Sequence, residues 1–221
     1  MIAYISGFLD AEQLRSLRDF MQRAQFVDGR ATNPESTIKQ NEQVKGGSSE
    51  YTNAAAMVAK CVSENPQVQI NVFPKRIIQP TFSRYTAGMA YGAHVDRAMM
   101  GKYPDSIRSD ASITVFLSDK SEYEGGELEL WLGSERHRVK LDAGDAVVYP
   151  TGAIHQVRRV TRGTRLAAVS WMQSYYRDSN ARILMSQYCE LMNRIRPGAD
   201  ETTKLLMNTI KANLDRIWME I

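Results

Sequence analysis

The chain contains few cysteines and few histidines, two and three respectively in 221 residues. Cys61 and Cys189 lie far apart in segments that are predicted to be helical, which argues against a disulfide. We therefore expect two buried, reduced thiols, as in a cytoplasmic protein.

Long apolar runs and an excess of charge of one sign are also missing. No stretch approaches the roughly 18 to 20 apolar residues of a membrane span. Residues 1–9 do not join a basic region to a long apolar run, so we expect no signal peptide. The 28 basic and 25 acidic side chains leave a net charge of +3, which argues against nucleic acid or a membrane as the main partner.

The order of elements predicts a mainly β protein with flanking helices. Asp10 and Gln13 have the spacing of a capping box at the start of a first helix, and Asn65-Pro66 should end a second. Short segments rich in β-branched and aromatic residues follow, separated by turn signals. They are residues 77–87, 112–118, 127–132, 136–141, 145–149, 154–160 and 164–174. Such spacing favours an antiparallel sandwich or jelly roll.

Two helical regions and one loop complete the predicted organisation. We expect N-terminal helices within residues 10–65, a core over about 75–175, and a C-terminal helical pair over 176–221 that packs on the core. The first two belong to one domain, residues 1–175. The polar residues 29–49 predict an irregular, mobile loop, and whether it acts as a lid is open.

Two of the three histidines predict a metal site. His94 and Asp96 form an H-x-D pair, whose side chains can share one face at a strand end or in the loop beside it, and His155 begins a later strand. Two imidazoles and one carboxylate suit non-haem Fe(II), which must also bind oxygen and a co-substrate. The third histidine, His137, lies among charged residues and is expected at the surface.

Arg165 is the candidate for binding the co-substrate. It alternates with Ala167, Val169 and Trp171, so it should point inward, where a charge is costly unless it is paired. A guanidinium can bind a carboxylate with two parallel hydrogen bonds. We expect a hairpin centred on Arg162 that sets Arg165 opposite Arg159. These four residues together point to an Fe(II)/2-oxoglutarate oxygenase.

Four segments resemble the prolyl and lysyl hydroxylases, and the bacterial PKHD-type hydroxylases in particular. They are FSRYTAGMAYGAHVD (82–96), SITVFLSD (112–119), YEGGELEL (123–130) and GDAVVYPTGAIHQVRRVTRGTRLAAVSW (144–171). The resemblance implies a double-stranded β-helix, that is, a jelly-roll core. It also implies Fe(II), 2-oxoglutarate and O2, with L-ascorbate as reductant, and hydroxylation of an amino-acyl or small-molecule C–H.

The resemblance also assigns residue roles. The metal ligands fall on His94, Asp96 and His155, and the 2-oxoglutarate arginine falls on Arg165. Tyr85 takes the place of a tyrosine that lines the co-substrate pocket. Phe116 stands where several animal relatives have a tyrosine, and the hydroxyl of Thr114 is a candidate replacement.

Three questions stay open at this stage. A non-catalytic 2-oxoglutarate or iron-binding module would use the same residues, and a nucleic-acid demethylase would share the fold. The basic residues Arg158, Arg159 and Arg162 are either a solvated rim or an attractor for an acidic substrate. The substrate and the oligomeric state are not determined by the sequence.

Overall fold

The computed structural model describes residues 1–220, which form two main β-sheets and one small two-stranded sheet, flanked by helices. The helices are Ala11–Arg23 (α1), Ser49–Glu64 (α2), Pro66–Val72 (α3), Ser179–Ile195 (α4) and Glu201–Trp218 (α5). The strands of the first half are Ala3–Ile5 (β1), Phe26–Asp28 (β2), Lys39–Gln40 (β3), Glu42–Val44 (β4), Pro74–Ile77 (β5), Thr81–Thr86 (β6), Ala90–His94 (β7), Met99–Met100 (β8) and Ile107–Arg108 (β9). Those of the second half are Ala111–Phe116 (β10), Tyr123–Gly125 (β11), Leu128–Leu132 (β12), Glu135–Val139 (β13), Ala146–Pro150 (β14), Ile154–Val157 (β15) and Val160–Ser174 (β16).

The strands pair antiparallel in a major and a minor sheet. The major sheet has the order β1-β14-β10-β16-β6-β4-β2, and β5 and β11 also pair with β16. The minor sheet has the order β13-β12-β15-β7-β3, and β8 and β9 form a separate two-stranded sheet. The predicted mainly β architecture with a jelly-roll core and flanking helices is confirmed.

Two apolar cores lie on the two faces of the major sheet. One joins the sheet to the N-terminal helices and contains Leu17, Val58 and Phe82. The other lies between the two sheets and contains Phe116 and Leu130. Alternate residues of a strand point to opposite faces, so the central strands β14, β10, β16 and β6 supply both cores. The candidate site residues point into the space between the sheets.

The local signals at the helix ends act as predicted. Asp10 accepts a hydrogen bond from the Gln13 amide at 2.8 Å, and the Gln13 side chain accepts one from the Asp10 amide at 3.0 Å. Asn65 ends α2 and its side chain caps α3, which begins at Pro66. At the C-terminus, Tyr176 forms a bridge with Met219, the residue after α5. The division into domains at residue 175 remains a prediction.

The segment over residues 29–49 is not the irregular loop that its polar composition predicted. It contains a 3-10 turn, Gly29–Thr32, and the short strands β3 and β4. β3 pairs with β7 of the minor sheet, and β4 pairs with β2 and β6 of the major sheet. The segment therefore links the two sheets along one side of the jelly roll.

The predicted hairpin between residues 154 and 174 is also wrong. β15 pairs with β12 and β7 in the minor sheet, whereas β16 lies between β10 and β6 in the major sheet. Arg162 is opposite Glu124, and Arg165 is opposite Tyr85. The chain crosses from one sheet to the other after Val157, because in a jelly roll strands that follow each other in sequence can lie in different sheets.

No helix within residues 1–220 is both long enough and apolar enough to cross a membrane.

Candidate active site

Two neighbouring strands of the minor sheet bring the three candidate metal ligands together. His94 at the end of β7 is the direct partner of His155 in β15, and Asp96 follows β7 by two residues. One ligand atom from each lies within 4.8 Å of the others. The Nε2 atoms of His94 and His155 are 3.7 and 3.6 Å from the two oxygens of Asp96. The three side chains could therefore bind one metal ion.

Backbone contacts orient both imidazoles. The Nδ1 atom of His94 is 2.8 Å from the carbonyl oxygen of Gly92, and that of His155 is 3.0 Å from the carbonyl oxygen of Ala153. A carbonyl oxygen only accepts, so Nδ1 carries the proton in each ring and Nε2 keeps a free lone pair. Burial, together with the nearby His155, lowers the pKa of His94 to about 4. A metal ligand requires this neutral form.

Two side chains of the major sheet hold the carboxylate of Asp96. The indole N–H of Trp171 donates to Oδ2 at 2.8 Å, and the hydroxyl of Ser112 donates to the same oxygen at 3.3 Å. Oδ1 receives neither bond and faces His94. Partners of this kind fix the orientation of a metal ligand.

Arg165 lies in the central strand of the major sheet and is 2% exposed. Its guanidinium is 5.3 Å from the centre of the Tyr85 ring and 5.4 Å from that of Phe116. Its Nε has no hydrogen-bond partner, and no carboxylate within residues 1–220 forms an ion pair with it. A buried, unpaired guanidinium is costly, and a bound carboxylate would supply the missing partner.

The remaining candidates line the space beside Arg165. Burial raises the pKa of Tyr85 to about 12, so its hydroxyl is protonated at neutral pH. The hydroxyl of Thr114 is 3.5 Å from that of Tyr149, whose ring lies 5.4 Å from the His155 ring. Thr114 and Tyr149 thus connect the surroundings of Arg165 with those of the candidate metal site.

Sequence reasoning missed three residues around the site: Lys39, Tyr91 and Tyr149. The Tyr91 ring stacks on His94 with centroids 3.7 Å apart. Strand alternation could have found Tyr149, which shares a face with the inward Val147. Lys39 is 6% exposed. Burial lowers the pKa of its ammonium to about 8, although Asp96 and Asp28 act to raise it.

The other charged candidates lie elsewhere. His137 is at the surface, 3.5 Å from Glu135, as predicted. Arg158 pairs with Glu129, Arg162 pairs with Glu124, and Arg159 donates to a backbone carbonyl. Since each of these arginines already has an acceptor, the contacts favour a solvated rim over an attractor for acidic substrates.

Comparison with known proteins gives one consistent family. The model of the 2OG-Fe(II) oxygenase superfamily matches residues 80–173. A PKHD-type hydroxylase of Thermosynechococcus vestitus is 38% identical over 224 residues, and one of Beijerinckia indica is 35% identical over 226 residues; both alignments cover 100% of each chain. A prolyl-4-hydroxylase structure from Pseudomonas putida shares the fold, with a TM-score of 0.56 and 22% identity over 78% of this chain and 92% of that one. The chain therefore belongs to the 2OG-Fe(II) oxygenase superfamily and, within it, to the PKHD-type hydroxylases, which makes it a 2-oxoglutarate-dependent dioxygenase.

Proposed function

We propose that His94, Asp96 and His155 bind the Fe(II) of this dioxygenase and that Arg165 binds the distal carboxylate of 2-oxoglutarate. The observation that carries the proposal is the pairing of two features in one pocket. One is a His-Asp-His donor set with ligand atoms within 4.8 Å of one another, and the other is a buried guanidinium that has no carboxylate partner among residues 1–220. Two nitrogens and one oxygen leave positions on the iron for a chelating 2-oxo acid and for O2.

Each residue has a defined part in this arrangement. The backbone carbonyls hold the imidazoles with Nε2 toward the metal, and Trp171 holds Asp96 so that Oδ1 remains for the metal. Arg165 neutralises and orients the carboxylate of the co-substrate, while the rings of Tyr85 and Phe116 exclude water from that contact. The hydroxyls of Tyr85 and Thr114 are further candidate donors to the co-substrate.

Bound Fe(II) would supply the activation of O2 that couples two reactions. In one, 2-oxoglutarate loses CO2 and becomes succinate, taking one oxygen atom. In the other, a C–H of the substrate becomes C–OH with the second oxygen atom. The chain orients the reactants and supplies charge complementarity at Arg165.

The substrate that we propose is an amino-acyl group or a small molecule. The hydroxylase names of the relatives and the prolyl-4-hydroxylase fold support this class. We further propose L-ascorbate as the reductant that keeps the iron ferrous, in line with the family resemblance. Cys61 and Cys189 are free thiols, which supports a cytoplasmic location.

Loss of one imidazole tests the proposed site. Wild-type protein titrated anaerobically with Fe(II) and 2-oxoglutarate should develop a visible metal-to-ligand charge-transfer band and, once O2 is admitted, should form succinate. His155→Ala should lose both signals, because the two remaining protein ligands are not enough to hold the ion.

His137→Ala is the matched control, since it removes a histidine outside the site and should behave like the wild type. A band without succinate formation would indicate a non-catalytic binding module. Iron binding by His155→Ala with wild-type affinity would contradict the proposed ligand set.

A further inference from the structure

The segment that links the two sheets presents a row of buried polar side chains along the site. Lys39, Asn41 and Gln43 alternate with residues that are more exposed, and each of the three is less than 9% exposed. β3 lies beside β7, which carries His94, and β4 lies beside β6, which carries Tyr85 opposite Arg165. The row therefore runs from the candidate metal ligands toward the candidate co-substrate arginine.

Lys39 stands at the metal end of this row. Its ammonium donates to the hydroxyl of Thr32 at 2.7 Å and lies 5.5 Å from the centre of the Tyr91 ring, which itself stacks on His94. Within residues 1–220 this ammonium forms no ion pair. The nearby carboxylate of Asp28 already forms an ion pair with Arg30. A buried lysine with one neutral acceptor is costly for the fold.

The charges of the pocket leave this ammonium unbalanced. Glu129, another buried charged residue, forms ion pairs with Arg138 and Arg158 on the far face of its strand. In the pocket, the positive charge of Arg165 and the negative charge of the ligand Asp96 cancel. The two positive charges of Fe(II) and the two negative charges of 2-oxoglutarate cancel as well. The ammonium of Lys39 is then one positive charge in excess, in a space where charges are poorly screened.

We infer that Lys39 binds a carboxylate of the substrate that is hydroxylated. A single excess charge matches a carboxylate better than a phosphate group, which carries between one and two negative charges at neutral pH. The inference rests on the proposed function, because it takes Fe(II) and 2-oxoglutarate to occupy the same pocket. It narrows the substrate class to molecules with a free carboxylate close to the reacting C–H.

Acetate is a minimal probe for this site. The protein is loaded with Zn(II) and 2-oxoglutarate. The lysine ¹³Cε resonance that is missing from the spectrum of Lys39→Met is assigned to Lys39. Acetate should shift this resonance saturably, whereas acetamide, which has the same shape without the charge, should not. Absence of a saturable shift, or an equal shift with acetamide, would overturn the inference.

The affinity for 2-oxoglutarate separates this inference from the function on which it rests. Measured by calorimetry with Zn(II), Lys39→Met should retain the wild-type affinity, whereas Arg165→Met should lose it. A loss in Lys39→Met as large as that in Arg165→Met, or displacement of 2-oxoglutarate by acetate, would assign Lys39 to the co-substrate and overturn the inference. Should the wild type bind no 2-oxoglutarate, the proposed function fails, and the acetate titration of the metal-free protein still decides whether Lys39 is a carboxylate site.

Discussion

The buried polar side chains at the two ends of the pocket differ in the partners that the chain provides for them. At the metal end, Nδ1 of each histidine has a backbone acceptor and Asp96 has the indole of Trp171. At the other end, Arg165 is more deeply buried than any of the three and lacks a carboxylate among residues 1–220. The metal end is thus preorganised by the chain itself, whereas the arginine end is completed by a ligand. Substitutions at the two ends should therefore have different consequences.

The largest effect is expected at the incomplete end. Arg165→Met should weaken 2-oxoglutarate binding by about 100-fold or more, because the distal carboxylate would be buried without its partner. Metal affinity should be unchanged, and the free protein should not be less stable, since an unpaired buried charge is removed. Calorimetric titration and thermal unfolding measure these quantities.

Arg159→Met, which removes an exposed arginine of the rim, is the matched control and should bind 2-oxoglutarate like the wild type. If Arg165→Met kept normal affinity for 2-oxoglutarate, the contrast between the two ends would not hold.

A smaller effect is expected from loosening the preorganised end. Trp171→Phe removes the hydrogen bond to Oδ2 of Asp96 and should lower metal affinity by roughly 10- to 100-fold, as loss of an orienting partner generally does. The affinity for 2-oxoglutarate at saturating metal should change little. Competition with a fluorescent chelator gives the metal affinity.

Trp131→Phe is the control for this substitution, since Trp131 lies under Arg136 on the minor sheet, away from Asp96. Equal metal affinities in Trp171→Phe and the wild type would show that the indole does not position the carboxylate.

The smallest effect is expected for the stability of the folded protein at acidic pH. The pKa of His94 is about 4 in the folded protein and 6.5 in the unfolded chain, so the unfolded chain takes up the proton first. The contribution of His94 to stability is complete above pH 6.5 and is lost as the pH falls toward 4. The metal-free protein should lose about 2 kcal/mol between pH 7 and pH 5 from this group.

Urea unfolding at a series of pH values measures this loss, and His94→Gln should show a flatter dependence over the same interval. An identical slope in both proteins would disprove the assignment.

The metal end was more predictable from the sequence than the rest of the site. The H-x-D spacing places His94 and Asp96 close together through local geometry alone, and strand alternation indicates that Arg165 points inward. The position of Arg165 across from Tyr85 was not predictable, because sequence does not reveal that the chain changes sheets after Val157. Lys39 was missed because β3 and β4 are two and three residues long, too short for a periodic pattern.

The position of β16 in the major sheet has a consequence for the chain during its synthesis. β16 is the last strand of the core in sequence, yet it lies between β10 and β6 in space. Until residues 160–174 leave the ribosome, each of these earlier strands has an unpaired edge, of the kind that promotes association between chains. All three candidate metal ligands emerge before Arg165. A nascent chain therefore carries the complete metal-binding set while its major sheet is still open and its dicarboxylate site does not yet exist.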